Sequence, residues 1–381
     1  VNFTLHKKLL NSIAYLQDGK YAIAVSGGSD SLALLYLCHK AGLSDNCVVV
    51  HFDHNVRQES ADEANFVEQT AFKLGFKFEK QLWNPVKDGN FYQTARKARY
   101  NFFAKIVEQY NLDGVLVAHS KTDLAETFLM RVTKGASLKG ISIFKQGQSV
   151  FNVKVYRPLL DFSRQDLQDY LTDLNITWMH DPSNLDEHRM RPRIRAILPK
   201  LESIGLSLQG LKEATTYFNQ ANDAIDFYTK KELTNFTQLA NLQAFYISKC
   251  NFFALPIEIQ IRLINHIINL YSNDFRHNPR RKNLLELLQS LQTNNKLHVD
   301  CISLEIIEDK LFIYKTDFDY NTLENNLTYL QDFDKKTRYN IIKHNKLQFL
   351  PISIRNRVRI SMPNNKATNQ LKTNDFTCLI D

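Results

Sequence analysis

The sequence predicts an α/β protein: an N-terminal doubly wound parallel sheet, then a helical domain, then a small α+β C-terminal domain. Three observations carry this. Residues 47–52 (CVVVHF) form a continuous β-branched run, as in strands covered on both faces. Such runs alternate with amphipathic helical stretches from about residue 12 to residue 201. After Pro199 the alternation stops, long helical periodicities take over, and strand-like runs return from Leu297. Alternating strands and helices build a mostly parallel sheet with helices on both faces, and such sheets bind ligands at the carboxyl ends of their strands.

In order, residues 21–25 read as a buried strand and residues 32–37 as a buried helix, joined by Ser26-Gly27-Gly28-Ser29-Asp30-Ser31. Ser60 and Glu63 have capping-box spacing, ahead of a stripe at Ala64, Val67, Ala71 and Leu74. Residues 76–82 read as a further strand. Residues 91–110 form the longest helix of this part, with Ala95, Ala98, Phe102, Ile106 and Tyr110 on one face. A strand over 114–119 and helices over 123–133 and 163–174 complete the pattern. Ser26, His51 and His119 then fall at three strand ends, converging on one crevice.

The second part starts with a stripe of Leu208, Leu211, Thr215, Phe218, Ile225 and Tyr228. Pro256 opens a helix in which Ile257, Ile261, Ile264, Ile268 and Tyr271 repeat almost like heptads, and Leu284, Leu285, Leu288 and Leu291 mark another. Residues 298–307 and 311–314 read as a hairpin around Glu308-Asp309-Lys310. These changes of pattern divide the chain into domains at 1–201, 202–295 and 296–381. Arg276-His277-Asn278-Pro279-Arg280-Arg281-Lys282 and the alternating Arg355, Arg357 and Arg359 suit an RNA backbone. The helices would equally serve packing or a homodimer, and the arginines an edge protected by charge. With no closing element before Asp381, the native chain is expected to extend further.

Bulk properties narrow the classes. The 381 residues are 44% apolar and 23% charged, an ordinary globular composition, and the net charge of +8 favours a polyanionic partner. Five cysteines, far apart and never in a C-x-x-C pair, give neither a disulfide framework nor a zinc or iron–sulfur site. No signal-peptide pattern or membrane-length apolar run is present, so no membrane partner and a cytoplasmic location are expected.

The chemistry starts at the turn of residues 26–31. Gly27 and Gly28 let backbone N–H groups approach a ligand, and the following helix directs its positive end there, which suits a di- or triphosphate. Asp30 is free to hold the accompanying Mg2+. Neither G-x-x-x-x-G-K-[ST] nor G-x-G-x-x-G occurs, which removes P-loop kinases and dinucleotide enzymes. Asp123 and Glu126, three apart, share a helical face. Such a couple is by default solvated, but its place after His119 at a strand end favours a site. Arg96 and Arg99 share another face.

The string S-G-G-S-D-S resembles the pyrophosphate loop of the N-type ATP pyrophosphatases, or PP-loop family. Further strings narrow the resemblance: residues 51–57 (HFDHNVR), 95–100 (ARKARY), 118–127 (AHSKTDLAET), 156–160 (YRPLL), 181–184 (DPSN), 191–195 (RPRIR) and Leu198-Pro199. Together, over roughly residues 15–201, the chain is similar to tRNA(Ile)-lysidine synthetases. The resemblance implies an adenine nucleotide alpha hydrolase-like fold and a ligase. ATP would adenylate the 2-carbonyl oxygen of the wobble cytidine in tRNA(Ile) with a CAU anticodon, and L-lysine would displace AMP.

It also implies site residues. Ser26, Gly27, Gly28, Ser29, Asp30 and Ser31 would bind ATP, with His51, Phe52 and His119 lining the pocket and Asp30 taking Mg2+. Asp123 and Glu126 would hold the amino groups of lysine. Asp30, Asp123, Arg193 and Arg195 would be catalytic, while Arg96, Arg99 and Arg191 would meet tRNA or phosphate. Ser120, Lys134 and Pro192 depart from the family pattern, where a histidine, an arginine and an asparagine are usual. Another PP-loop tRNA-modifying or amide-forming enzyme is the alternative, and an RNA-binding protein with an inactive nucleotide fold is a third reading.

Overall fold

The computed structural model describes residues 2–55, 60–84, 91–179, 190–239, 244–271, 279–299 and 301–316. Its contacts divide the chain into two units, Val1–Asn222 and Asp223–Asp381.

The first unit contains β1 (Tyr21–Ala24), β2 (Cys47–Asp53), β3 (Lys77–Leu82), β4 (Gly114–Val117), β5 (Gln148–Val150) and β6 (Val153–Tyr156). They form one sheet in the order β3-β2-β1-β4-β6-β5, and β5 alone runs antiparallel, paired with β6. Helices α1 (Phe3–Ile13), α2 (Ser29–Lys40), α3 (Ser60–Lys73), α4 (Phe91–Gln109), α5 (Lys121–Val132), α6 (Leu138–Ile141), α7 (Arg164–Asp173) and α8 (Met190–Ser203) accompany it. Alternation along the strands sets the layers. Ile23, Val49 and Leu116 pack with Leu9 and Ile13 of α1, Leu32 and Leu35 of α2, Val67 and Ala71 of α3 and Leu167 and Leu171 of α7. On the opposite face Ala22, Val48, Val50, Val115 and Val155 pack on Tyr100, Phe103 and Ile106 of α4. Burial of each large aliphatic side chain contributes about 1.5–3 kcal/mol.

Strand order fixes where ligands can go. β2 and β3 lie on one side of β1, and β4, β6 and β5 on the other, so the direction of winding reverses at β1. The register pairs Ala24 with Val50 and with Val117. The loops leaving β1, β2 and β4 therefore emerge side by side at the carboxyl edge, as a switch point requires. A satellite cluster of Ala125, Phe128, Ile143, Leu198 and Leu211 joins α5 and α8 to the start of α9 (Leu208–Leu233), which runs across the division between the units.

In the second unit β7 (Thr237–Leu239), β8 (Ala244–Ser248), β9 (Lys296–Val299), β10 (Ile302–Ile307) and β11 (Lys310–Lys315) form an antiparallel sheet in the order β7-β8-β11-β10-β9. α11 (Ile257–Tyr271) and α12 (Arg281–Leu291) cover one face, and α10 (Lys249–Ala254) precedes α11. Ile264, Ile268, Leu284 and Leu291 meet Leu304, Leu311 and Ile313 in the core. Two expectations are corrected here. Residues 298–307 are not one strand, because β9 and β10 pair antiparallel with each other. The stretch expected to be helical also contains β7 and β8, which pair with each other while β8 pairs with β11. The hairpin of β10 and β11 stands where expected, with Glu308 at φ 54° in its turn.

Candidate active site

The turn from β1 to α2 is built from its own side chains. Gly27 has φ +90°, a conformation L side chains rarely adopt, and its carbonyl accepts the Met179 N–H at 3.0 Å. Gly28 caps α2 in extended conformation, and a Cβ there would meet only Ser26 Oγ at 3.8 Å, so the space above the helix N-terminus stays open. Ser31 Oγ donates to the Gly28 carbonyl at 2.9 Å and accepts the Ser26 N–H at 3.2 Å. Ser29 Oγ donates to Asp30 Oδ1 at 2.9 Å. The hydroxyls of Ser29 and Ser31 thus brace the loop, whereas Ser26 is exposed.

Asp30 lies in the first turn of α2, and burial raises its pKa above the usual carboxylate value, with Arg164 opposing the shift. One carboxylate beside an anion-binding turn fits a magnesium ion carried chiefly by substrate phosphates. Among the described residues no group of three or more His, Cys, Asp or Glu side chains is placed to hold a metal by itself.

Opposite this loop, α5 presents a carboxylate pair. Ser120 is its N-cap: Ser120 Oγ accepts the Asp123 N–H at 3.3 Å, while Ser120 N–H donates to Asp123 Oδ2 at 3.0 Å. The hydroxyl where the family pattern has histidine therefore orients Asp123. Asp123 is buried and Glu126 has no exposed surface, so the couple is no solvated surface pair. Arg164, the first residue of α7, joins the two half-sites: its Nε lies 3.2 Å from Asp30 Oδ2, its Nη2 3.1 Å from Asp123 Oδ1 and its Nη1 3.9 Å from Glu126 Oε1. Arg195 Nε donates to Glu126 Oε1 at 2.7 Å, leaving Glu126 Oε2 buried without a hydrogen bond. Burial pushes the Asp123 carboxyl up, but Arg164 and the Ser120 N–H outweigh it and hold it below its usual value.

A cationic wall follows. Arg157 Nε donates to His119 Nδ1 at 3.2 Å, and the His119 ring stacks on Phe144 with centroids 4.5 Å apart. Burial drives the His119 pKa down to about 3; Asp123 opposes this and Arg157, Arg191 and Arg99 reinforce it. His119 is thus a neutral acceptor at Nδ1. Arg96 and Arg99 both lie over the Tyr100 ring, at 4.9 Å and 5.5 Å. Burial lowers the Arg99 and Arg157 pKa values, with repulsion from Arg96 on both and from Arg191 on Arg99. Clustered guanidinium groups, one with an unpartnered buried Nε at Arg99, have the chemistry to seat an anion.

The remaining expected residues have the following surroundings. The His51 ring is buried, with Nδ1 donating to the Val25 carbonyl at 2.8 Å, and burial lowers its pKa. Phe52, the penultimate residue of β2, packs with His54, Trp83 and Phe102. Arg191 Nη2 donates to Thr127 Oγ1 at 3.2 Å. Arg193 is exposed on α8 and, among the described residues, no ion pair joins it to the carboxylates. Residues 56–57, 181–184, 276–278 and 355–359 lie outside the described residues. Sequence reasoning gave no role to Arg157 or Arg164. The signals were slight: Arg157 lies inside YRPLL, and Arg164 follows the capping serine of a helix.

Residues 2–201 match the PP-loop domain family. A tRNA(Ile)-lysidine synthase of Ruegeria pomeroyi is 34% identical over 277 residues, covering 72% of this chain and 65% of the relative. One from Anaplasma marginale is 32% identical, covering 68% and 56%. One from Zymomonas mobilis is 32% identical, covering 74% and 84%. The chain thus spans less than two thirds of the length of the first two.

Proposed function

From the premise that the chain belongs to the PP-loop family and, within it, to the tRNA(Ile)-lysidine synthases, we propose that it ligates L-lysine to the wobble cytidine of a CAU-anticodon tRNA(Ile). The observation that carries this reading is the placement of an anion-binding turn and a buried acidic pair at adjacent strand ends, bridged by Arg164. In the first half-reaction the cytidine 2-carbonyl oxygen attacks the α-phosphorus of ATP and diphosphate departs. The backbone of residues 26–31 and the N-terminus of α2 bind the departing group, and proximity in a fixed line of attack lowers the barrier. Magnesium, when bound, supplies charge neutralisation on the diphosphate, and Asp30 is the residue to hold it.

In the second half-reaction the neutral lysine side-chain amine attacks the activated carbon, the C–O bond to AMP breaks, and the proton shed by the new C–N nitrogen passes to the departing phosphate or to water. Asp123 and Glu126 hold the amino acid, His119 and Phe144 form a wall, and Arg96, Arg99, Arg157 and Arg191 neutralise phosphate. A cytoplasmic location suits a tRNA substrate. Among the described residues no helix is long and apolar enough to cross a membrane. The test is ATP-dependent incorporation of labelled lysine into a CAU-anticodon transcript, with one AMP released per lysine. Release of AMP without lysine incorporation, under saturating lysine and tRNA, would transfer the protein to another adenylating activity.

A further inference from the structure

Arg164 is held in place by hydrogen bonds within the protein. Ser163 caps α7 in a capping box with Asp166, the Arg164 N–H donates to Thr122 Oγ1 at 3.1 Å, and the Lys121 N–H donates to the Phe162 carbonyl at 2.7 Å. These bonds tie the N-terminus of α7 to that of α5. The guanidinium group then meets the carboxylates of Asp30, Asp123 and Glu126. Beside it, Glu126 is wholly buried with Oε2 unpartnered, a costly state for a buried carboxylate oxygen unless a ligand donates to it.

We propose that Arg164 is a specificity-determining residue that receives the α-carboxylate of the amino-acid substrate, by opening its ion pairs with Asp123 and Glu126 around the zwitterion. The inference rests on lysine being the substrate. An attacking amine must carry a free lone pair, and two buried carboxylates would keep it protonated. Asp123 and Glu126 therefore suit the unreactive α-ammonium, with Glu126 Oε2 as the acceptor left open. The α-carboxylate sits on the same carbon and cannot face those two acids, so it needs a cation that borders both. Arg164 borders both, whereas Arg195 pairs with Glu126. His119 already accepts a hydrogen bond from Arg157 and is not the cation required. Inserting a zwitterion between a guanidinium and a carboxylate gives each a new opposite partner and leaves the net charge of the site unchanged. That avoids leaving a buried charge uncompensated. An acyl-free diamine could satisfy only half of this arrangement.

The experiment compares L-lysine with L-lysinamide, which keeps both amines and loses the carboxylate charge, as nucleophiles toward pre-adenylated tRNA. Charge-assisted hydrogen bonds are worth on the order of a 10- to 100-fold preference, so the wild-type kcat/KM ratio should favour lysine by that factor, mainly through KM. In Arg164→Met the ratio should fall to about 1, Arg164→Lys should restore part of it, and Arg195→Met should keep it. Being a ratio within one variant, it is insensitive to general losses of folding or adenylation. Where turnover is too weak, calorimetric titration of both ligands reads the same ratio. A wild-type ratio near 1, or an unchanged ratio in Arg164→Met, overturns the assignment while leaving the lysine-ligase reading intact. Failure of the wild-type protein to incorporate any lysine overturns that reading itself.

Discussion

Asp30 and His119 show how single residues acquire their roles from burial. Asp30 is the one carboxylate at the head of α2, and its removal takes away the residue proposed to fix the metal-borne diphosphate. Asp30→Ala should abolish tRNA-dependent AMP release while leaving tRNA affinity within about twofold in filter binding, since the residues proposed to meet tRNA phosphates lie elsewhere. Equal loss of both would contradict the assignment. His119 is kept neutral by burial, with a folded pKa of about 3 against 6.5 for the free side chain. Between those values the unfolded chain binds a proton that the folded chain does not, so stability falls as pH drops through 6.5 and on toward 3. His119→Asn should therefore lessen the loss of urea-midpoint stability between pH 7 and pH 5. Part of the loss should persist, because burial also lowers the pKa values of His51 and His54. An unchanged acid limb would place His119 in water. The residues of the glycine turn were legible because their types and order are demanded by a local conformation. Arg157 and Arg164 were not, because a lone arginine carries no periodicity and gains its partners only when α5, α7 and the β1–α2 turn meet.

At the scale of elements, the cap of α5 joins stability to the site. Ser120 has no exposed surface and its hydroxyl satisfies the Asp123 N–H, one of the four donors a helix N-terminus leaves open. Ser120→Ala should cost about 1 kcal/mol in denaturant unfolding, the usual effect of losing an N-cap. It should also raise KM for lysine, because the same hydroxyl lies 3.0 Å from Asp123 Oδ2. A stability loss without any change in KM would confine Ser120 to capping. β1 to β4 and α3, α4, α5 and α7 followed from β-branched runs and 3.6-residue stripes, to within a residue or two at their ends, whereas α2 runs three residues beyond each end of the expected 32–37 stretch. Helices α1, α6 and α8 and the β5–β6 hairpin did not. The turn of that hairpin puts Phe151 at φ 49° and Asn152 at φ 66°, a mirror-type turn normally signalled by Asn-Gly, and here the glycine is absent.

For the whole molecule, the expected boundaries at 201/202 and 295/296 followed changes of periodicity, whereas contacts divide the chain at 222/223. The difference has a physical source. β8 pairs with β11, more than sixty residues later, and no local pattern announces which distant strand will complete a sheet. That pairing draws α11 and α12 and the strands after them into one core, where Leu263, Ile264, Ile267 and Ile268 have no exposed surface. A core of its own predicts a thermal transition of its own. Ile264→Ala should cost roughly 2–5 kcal/mol, and at about 2–4 °C per kcal/mol for a unit of this size it should lower one of two calorimetric transitions by about 4–20 °C. ATP binding, assigned to the first unit, should survive at temperatures between the displaced transition and the second one. tRNA affinity should fall in that window if the second unit carries part of the RNA contact that the net charge of +8 favours. Transitions that move together would instead show a single cooperative body, in which damage to the C-terminal core reaches the nucleotide loop directly.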